Sequence, residues 1–231
     1  MLTLEPIARI RSDFPEKFGI PRQSGLIDAL KATVVFEPKY RDPSALRGLE
    51  GYSHLWLIWE FSESVMEGWS PTVKPPRLGG NKRMGVFATR SPFRPNPLGL
   101  SCVKLEGIDL GTPDGPVLRV AGADLMDGTP IYDIKPYLRY ADCHPDARGG
   151  FTDAVKDHAL AVDFPDELLA LIPEDKREAL VRVLEQDPRP GYKHADPERR
   201  FGVAFAGYDV RFTVRDDTLT VREVVRLDGR T

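Results

Sequence analysis

Apolar residues over the first 140 or so positions fall in short clusters separated by glycine and proline, with little helical spacing. Val34-Val35-Phe36, Leu55-Trp56-Leu57-Ile58-Trp59, Val86-Phe87-Ala88, Leu100 to Leu105, Val117 to Val120 and Ile131 to Ile134 each read as a β-strand. Strands this short and this closely spaced predict a closed barrel or a sandwich, and the lack of long alternating helices argues against a doubly wound parallel sheet. One weak early helix is expected at Ser24 to Lys31. Composition shifts after Tyr140: Asp142 to Asp153 is rich in Asp, Gly, Ala and Pro and reads as a linker. Beyond it, Leu168, Leu169, Leu171 and Ile172, then Ala179, Leu180, Val183 and Leu184, recur at helical spacing behind Pro165 and Pro173, predicting two short helices. Tyr208, Val210, Phe212 and Val214, a turn at Asp216-Asp217, then Leu219 and Val221 predict a hairpin. The expected organisation is mainly β: a barrel domain over residues 1–145 and a smaller α+β domain over 152–231.

The 41% hydrophobic share of the 231 residues suits a soluble core, no apolar run approaches the length of a membrane span, and the first residues resemble no secretory signal. A cytoplasmic protein is expected. Cys102 and Cys143 stand far apart, so neither a metal cage nor a disulfide framework is indicated, and no metal is expected. The net charge of −3 argues on average against a nucleic-acid partner, but the average conceals an asymmetry. From Gly68 to Leu105 there is no acidic residue, whereas Lys74, Arg77, Lys82, Arg83, Arg90, Arg94 and Lys104 are basic. With those seven removed, 25 basic residues face 35 acidic ones, so one segment concentrates the positive charge.

Within that segment, Lys74, Arg77, Lys82 and Arg83 stand among prolines and glycines, as in a surface loop built for phosphate contact. Arg90-Ser91-Pro92-Phe93-Arg94-Pro95-Asn96-Pro97 then holds the chain near extended geometry with three alternating prolines. Core packing does not explain Arg90, Arg94 and Asn96; two guanidinium groups suit a carboxylate or phosphate, and Asn96 an amide or a base edge. Asp124-Leu125-Met126-Asp127-Gly128-Thr129-Pro130 contains an ordinary turn, but Asp133 and Lys135 alternate beside it. On one strand face these two either pair with each other or aim at a ligand. No G-x-G-x-x-G, Walker loop or H-E-x-x-H sequence occurs.

The run Arg77 to Ser101, together with Pro21-Arg22-Gln23, Gly48 to Trp56 and Asp124 to Tyr137, closely resembles the TrmO family, once known as a VirR-like group, and Gln186 to Tyr192 resembles the signature of its bacterial C-terminal domain. The resemblance implies a small antiparallel β-barrel, a homodimer, S-adenosylmethionine as cofactor near the subunit interface, and threonine tRNA as partner. The reaction it implies is methylation of the N6 nitrogen of threonylcarbamoyladenosine beside the anticodon. Carried over by motif, Pro21, Arg22, Gln23, His54, Leu55, Arg90, Leu100, Asp124, Leu125, Met126 and Asp127 are the cofactor candidates. The acceptor N–H lies between an adenine ring and a carbonyl, so a modest base suffices. Asp127 and Asp133 are the candidates for that base, with Lys135 or Asn96 stabilising the carbamoyl oxygen. Lys74, Arg77, Lys82, Arg83, Arg94, Tyr137 and Arg189 are the candidates for tRNA contact, the last as part of a basic C-terminal surface that includes Arg211, Arg215 and Arg222. The competing readings are a non-catalytic RNA-binding barrel and a metal-dependent hydrolase built on His54, Asp124 and Asp127.

Overall fold

A computed structural model describes residues 3–64, 68–75, 82–154, 159–189 and 198–227. The chain opens with β1 (Ala8–Arg11), β2 (Lys31–Phe36) and β3 (His54–Glu60). A small ribbon of β4 (Thr72–Val73) and β5 (Met84–Gly85) follows, then β6 (Leu98–Thr112), β7 (Gly115–Ala121) and β8 (Pro130–Pro136). Six of these strands close into an antiparallel barrel in the order β1-β2-β7-β6-β3-β8, with Ala8 of β1 opposite Ile131 of β8 at the closure. The apolar run at β3 resolves into strict alternation: Leu55, Leu57 and Trp59 point inward, and His54, Trp56 and Ile58 outward. Inside, Ile10, Val34, Leu55, Leu57, Val103, Leu118, Val120 and Ile131 form one close-packed cluster.

The barrel expected from the sequence is therefore present, with two local exceptions. Val86–Ala88 is a 3-10 turn instead of a strand: the Thr89 N–H returns to the Val86 carbonyl at 3.1 Å, and only Val86 is buried. Ser24 to Lys31 is not helical, because its polar groups are spent on barrel contacts described below and Lys31 already belongs to β2. The expected linker also starts firmly, on a helical turn α1 (Arg139–Asp142) whose Asp142 carboxylate accepts hydrogen bonds from the Trp56 indole (2.9 Å) and the Leu138 N–H (2.8 Å).

In the C-terminal part, β9 (Ala161–Asp163) precedes α2 (Asp166–Leu169) and α3 (Glu174–Glu185), each entered directly after a proline, Pro165 and Pro173. Strands β10 (Phe201–Phe205), β11 (Tyr208–Arg215) and β12 (Thr218–Arg226) then form a meander, with β9 added parallel to β12. The predicted hairpin is β11–β12, turning at Asp216-Asp217 with Asp216 at a positive φ of 51°. Among the described residues no helix is long and apolar enough to cross a membrane.

Core membership does not follow chain order. Phe14, Ile27 and Leu30, all from the β1–β2 connection, are buried together with Leu180, Leu184, Val203, Phe205, Val210, Phe212 and Leu219 of the C-terminal part. Phe14 meets Phe205 edge-on at 5.3 Å. The Ala206 N–H donates to the Asp13 carbonyl (2.8 Å), and the Lys176 ammonium pairs with the Asp13 carboxylate at 2.7 Å. Residues 12–30 thus serve both bodies. Replacing Phe14 with Ala should therefore cost about 3 to 5 kcal/mol, the usual range for a buried phenylalanine. Urea unfolding followed by far-UV circular dichroism reads this directly, and a loss below about 1 kcal/mol would mean the connection is not part of the C-terminal core.

Candidate functional site

The β1–β2 connection crosses one mouth of the barrel, and backbone ladders that end there dictate how. Strand β7 stops pairing with β6 at Ala121, opposite Lys104, which leaves the Cys102 N–H on β6 without a strand partner. The Ser24 hydroxyl accepts from it at 2.9 Å. One residue on, Gly25 donates its N–H to the Gly122 carbonyl at 2.8 Å. The approach is so close that a Cβ on Gly122 would lie 3.1 Å from the Gly25 Cα, and Gly122 has a φ of +76°, a conformation side chains disfavour.

Past Gly122 the chain turns inward and delivers Asp124 to the mouth. Its carboxylate accepts from the Ser101 hydroxyl at 2.5 Å, and the Ser101 oxygen in turn accepts from the Trp59 indole N–H at 2.9 Å. Trp59 lies flat over Gly99, where a Cβ would collide with the indole at 2.3 Å. Gly99 and Ser101 of the proline-rich motif are thus explained by one tryptophan. Burial pushes the Asp124 carboxyl up from its ordinary 3.8 to about 6, against the opposing pull of the Ser101 hydrogen bond, the backbone N–H of Asp124 itself, the Arg90 guanidinium and the Ser24 N–H. Arg90 donates to the Gln23 side-chain carbonyl, and Gln23 donates to the Arg22 carbonyl at 2.5 Å.

Of the cofactor candidates, Gln23, Arg90 and Asp124 therefore come together at this mouth, beside the turn made by Met126 and Asp127. Ser24, Trp59 and Ser101 join them, although the sequence alone did not single them out; the place of Ser24 just after Pro21-Arg22-Gln23 and of Ser101 at the end of the Arg77 to Ser101 run is the one available signal. Leu55 and Leu125 are fully buried in the barrel core, so only their backbone faces anything else. Asp127 has a structural tie: its carboxylate accepts the Ser12 N–H at 3.0 Å, while the Ser12 hydroxyl donates to the Leu125 carbonyl at 2.8 Å.

A second set lies on the outer face of β8, β3 and β6. Asp133 stands opposite Ile58, which stands opposite the half-exposed Leu100. Lys135 pairs with Asp133 at 2.9 Å, so the two alternating charges meet each other. His54 bonds Ser53 at 2.9 Å, and its ring and that of Trp56 flank Tyr137 at 6.1 and 5.9 Å. The thiol of Cys102, on this face, is pushed up by burial and by Asp142.

Lys74, Lys82 and Arg83 are exposed, Arg83 donating to the Thr72 hydroxyl at 2.8 Å; Arg94 is half-buried and donates to the Thr89 carbonyl at 3.2 Å, and Asn96 is exposed in the proline loop. Arg77 lies outside the described residues. Arg189 differs from expectation: it is buried, and it grips Asp187 through Nε at 2.7 Å and Nη2 at 2.9 Å instead of meeting solvent. The C-terminal strip is likewise not simply basic, because Arg211 pairs with Asp209 and Glu223, and Arg215 with Glu198. Among the described residues no group of three or more His, Cys, Asp or Glu side chains is arranged to hold a metal.

The fold and its mouth define a class. Residues 9–143 match the family model of the tRNA-methyltransferase O N-terminal domain, and residues 157–227 match that of the TrmO C-terminal domain. The chain belongs to the TrmO family. It is 42% identical to the tRNA (adenine(37)-N6)-methyltransferase of Escherichia coli, covering 92% of this chain and 93% of that protein. A Pyrococcus abyssi protein named a probable S-adenosyl-L-methionine-binding protein is 35% identical over 66% of this chain and 77% of its own length. A crystal structure of TrmO from Pseudomonas aeruginosa superimposes with a TM-score of 0.77 at 36% identity, over 97% of this chain and 99% of that one.

The raised Asp124 pKa carries a stability consequence with a definite sign. Below pH 3.8 the carboxyl is protonated in both the folded and unfolded chain; between 3.8 and about 6 the unfolded chain ionises first, so the fold loses stability as pH rises. The full loss is of the order of ~3 kcal/mol above pH 6. Asp124→Asn should flatten the dependence of the thermal midpoint on pH between 4 and 7 and raise the midpoint at neutral pH. A variant less stable than the parent at neutral pH would contradict this account.

Proposed function

We propose that this protein is an S-adenosylmethionine-dependent tRNA methyltransferase acting on the N6 nitrogen of the adenosine beside the anticodon, and that its acceptor is threonylcarbamoyladenosine in threonine tRNA. The observation that carries the reading is the half-buried Asp124 carboxylate set against Arg90 at the barrel mouth, in a chain whose family models span both of its parts. A carboxylate and a guanidinium brought together by Gln23 and Ser24 fit a zwitterionic ligand with a positive centre and a carboxylate, which is the chemistry of S-adenosylmethionine. That cofactor supplies an electrophilic methyl group on a sulfonium.

In this reading Arg90 holds the cofactor carboxylate, and Asp124 faces its positive charge. Asp124 keeps that position because Ser101 and Trp59 fix it, and it costs stability that a purely structural residue would not. Gln23 and the Gly122–Gly25 contact shape the wall by letting backbones approach closely. Asp127 ties the mouth to Ser12 and acts through position. Asp133 is the proton acceptor, with Lys135 beside it to stabilise the carbamoyl oxygen as charge develops there. The mouth and the outer face that carries Asp133, Leu100 and His54 lie on different sides of one barrel wall. That separation supports a homodimer in which one subunit's mouth meets its partner's outer face. Leu98 and Leu100, apolar and exposed on β6, suit such a contact. The cytoplasm, where tRNA is modified, is the expected compartment.

The test is direct. Incubated with S-adenosylmethionine and tRNA from a strain lacking its own enzyme, the protein should add one methyl group to threonylcarbamoyladenosine, detected by nucleoside mass spectrometry. RNA binding with no methylation would instead favour a non-catalytic RNA-binding barrel. Arg90→Ala should weaken cofactor binding by about 1.5 to 3 kcal/mol in calorimetry, the range for a lost charge-assisted pair. Unchanged affinity removes Arg90 from the site.

Sharing of the site between subunits gives its own readout. Arg90→Ala and Asp133→Asn, assayed at a cofactor concentration too low to sustain either variant alone, should recover about a quarter of parental activity when unfolded and refolded together, because half the dimers are mixed and each carries one intact site. No recovery would place both residues in one subunit's site.

A further inference from the structure

The basic segment contains a feature that neither the barrel core nor the mouth uses. Trp69 and Phe87 are 55% and 73% exposed, yet their rings stack on each other, with centroids 6.2 Å apart and planes 30° from parallel. They flank the same end of the antiparallel β4–β5 ribbon, Trp69 before β4 and Phe87 after β5. Thr72 pairs with Gly85, and the Val86 N–H extends the pairing to the Pro71 carbonyl at 2.9 Å, which brings the residues just outside the ribbon side by side. Val86 turns into the protein and is buried, so its neighbour Phe87 is driven outward. The 3-10 turn at Val86–Ala88 fixes that direction through the Thr89 hydroxyl and N–H, both bonded to the Val86 carbonyl.

We propose that Trp69 and Phe87 form a shelf on which unpaired bases of the RNA substrate stack; the proposal rests on the tRNA reading above and adds to it how the unpaired loop is held. A pair of large rings stacked in water exposes apolar surface that a solvated loop has no need of. Their surroundings name the occupant. Trp69 and Phe87 lie within the stretch from Gly68 to Leu105 that contains no carboxylate, with Lys74, Lys82 and Arg83 exposed on the same ribbon and its connections. Arg83 is held at the ribbon by its bond to the Thr72 hydroxyl. Flat apolar rings at one end of a short ribbon, with cations on the connection at its other end, match the two parts of a single-stranded nucleotide, a base with a π-face and a phosphate. Phe87 also lies three residues before Arg90, so a base on the shelf is close in the chain to the group that lines the mouth.

Stacking and charge separate experimentally, because stacking is insensitive to salt whereas each phosphate contact steepens the salt dependence. The probe is an anticodon stem-loop RNA, titrated against the full-length protein. Trp69→Ala with Phe87→Ala should weaken binding by about tenfold to a hundredfold with the salt slope unchanged. Trp69→Phe with Phe87→Tyr should retain most of the affinity. Lys74→Ala with Lys82→Ala should instead flatten the slope. Addition of the RNA should also quench the fluorescence of Trp69, the most exposed of the described tryptophans, and this quench should vanish in Trp69→Phe. Parental RNA affinity in the double alanine variant overturns the shelf. So does a double variant that binds RNA normally but sediments with a changed subunit number, which assigns the rings to a contact between copies of the chain, or one that loses cofactor affinity, which assigns them to the mouth. A parent protein that fails to bind or methylate tRNA overturns the substrate reading itself, a result distinct from any of these.

Discussion

A carboxyl group half-buried at the mouth of a barrel has to be held by something, and the chain from Trp59 through Ser101 to Asp124 holds it. The indole fixes the serine hydroxyl, and the hydroxyl fixes the carboxylate. Gly99 is glycine because the indole lies on it, and Gly122 is tight against Gly25 because the chain must turn there to bring Asp124 in. Each of these residues is set by geometry around one costly charge. A barrel selected for stability alone would place an apolar side chain in that position. The cost marks the mouth as the part of the molecule where something other than folding was at stake.

Much of the barrel was legible because its strands are runs of branched and aromatic residues broken by glycine and proline. The elements that escaped are those whose signal is short or mixed. β1 is four residues of Ala-Arg-Ile-Arg, and β4 and β5 have two residues each, too little for a period to register. Val86-Phe87-Ala88 has the composition of a strand without its alternation, and folds as a turn. At the site, charged residues announced themselves while hydroxyls did not: Arg90 and Asp124 stood out in the motifs, but Ser24 and Ser101 act through hydrogen bonds to partners 78 and 23 positions away, which only the folded chain reveals.

Charge read along the chain also differs from charge read in space. The hairpin arginines look like a basic strip in sequence, yet strand register sets Arg211 opposite Glu223, and its own neighbour Asp209 completes the neutralisation. Arg189 looks like a cation on a proline-stiffened loop, but Asp187, two residues earlier, turns it into a buried bidentate pair. That pair is held within the fold and presents no net charge to a partner. By contrast, the segment from Gly68 to Leu105 has no carboxylate to recruit, so its exposed lysines keep their charge.

The connection from β1 to β2 belongs to two cores at once, and this has a meaning for synthesis. Phe14, Ile27 and Leu30 leave the ribosome early, but Val203, Phe205 and Phe212, which bury them, leave it well after the barrel strands. A nascent chain extended only as far as β8 has every strand of the barrel, while the residues flanking Gln23 and Ser24 still lack the surface they pack against. Vectorial translation therefore finishes the rim of the mouth only when the C-terminal strands are made, so the mouth matures after the barrel strands that surround it.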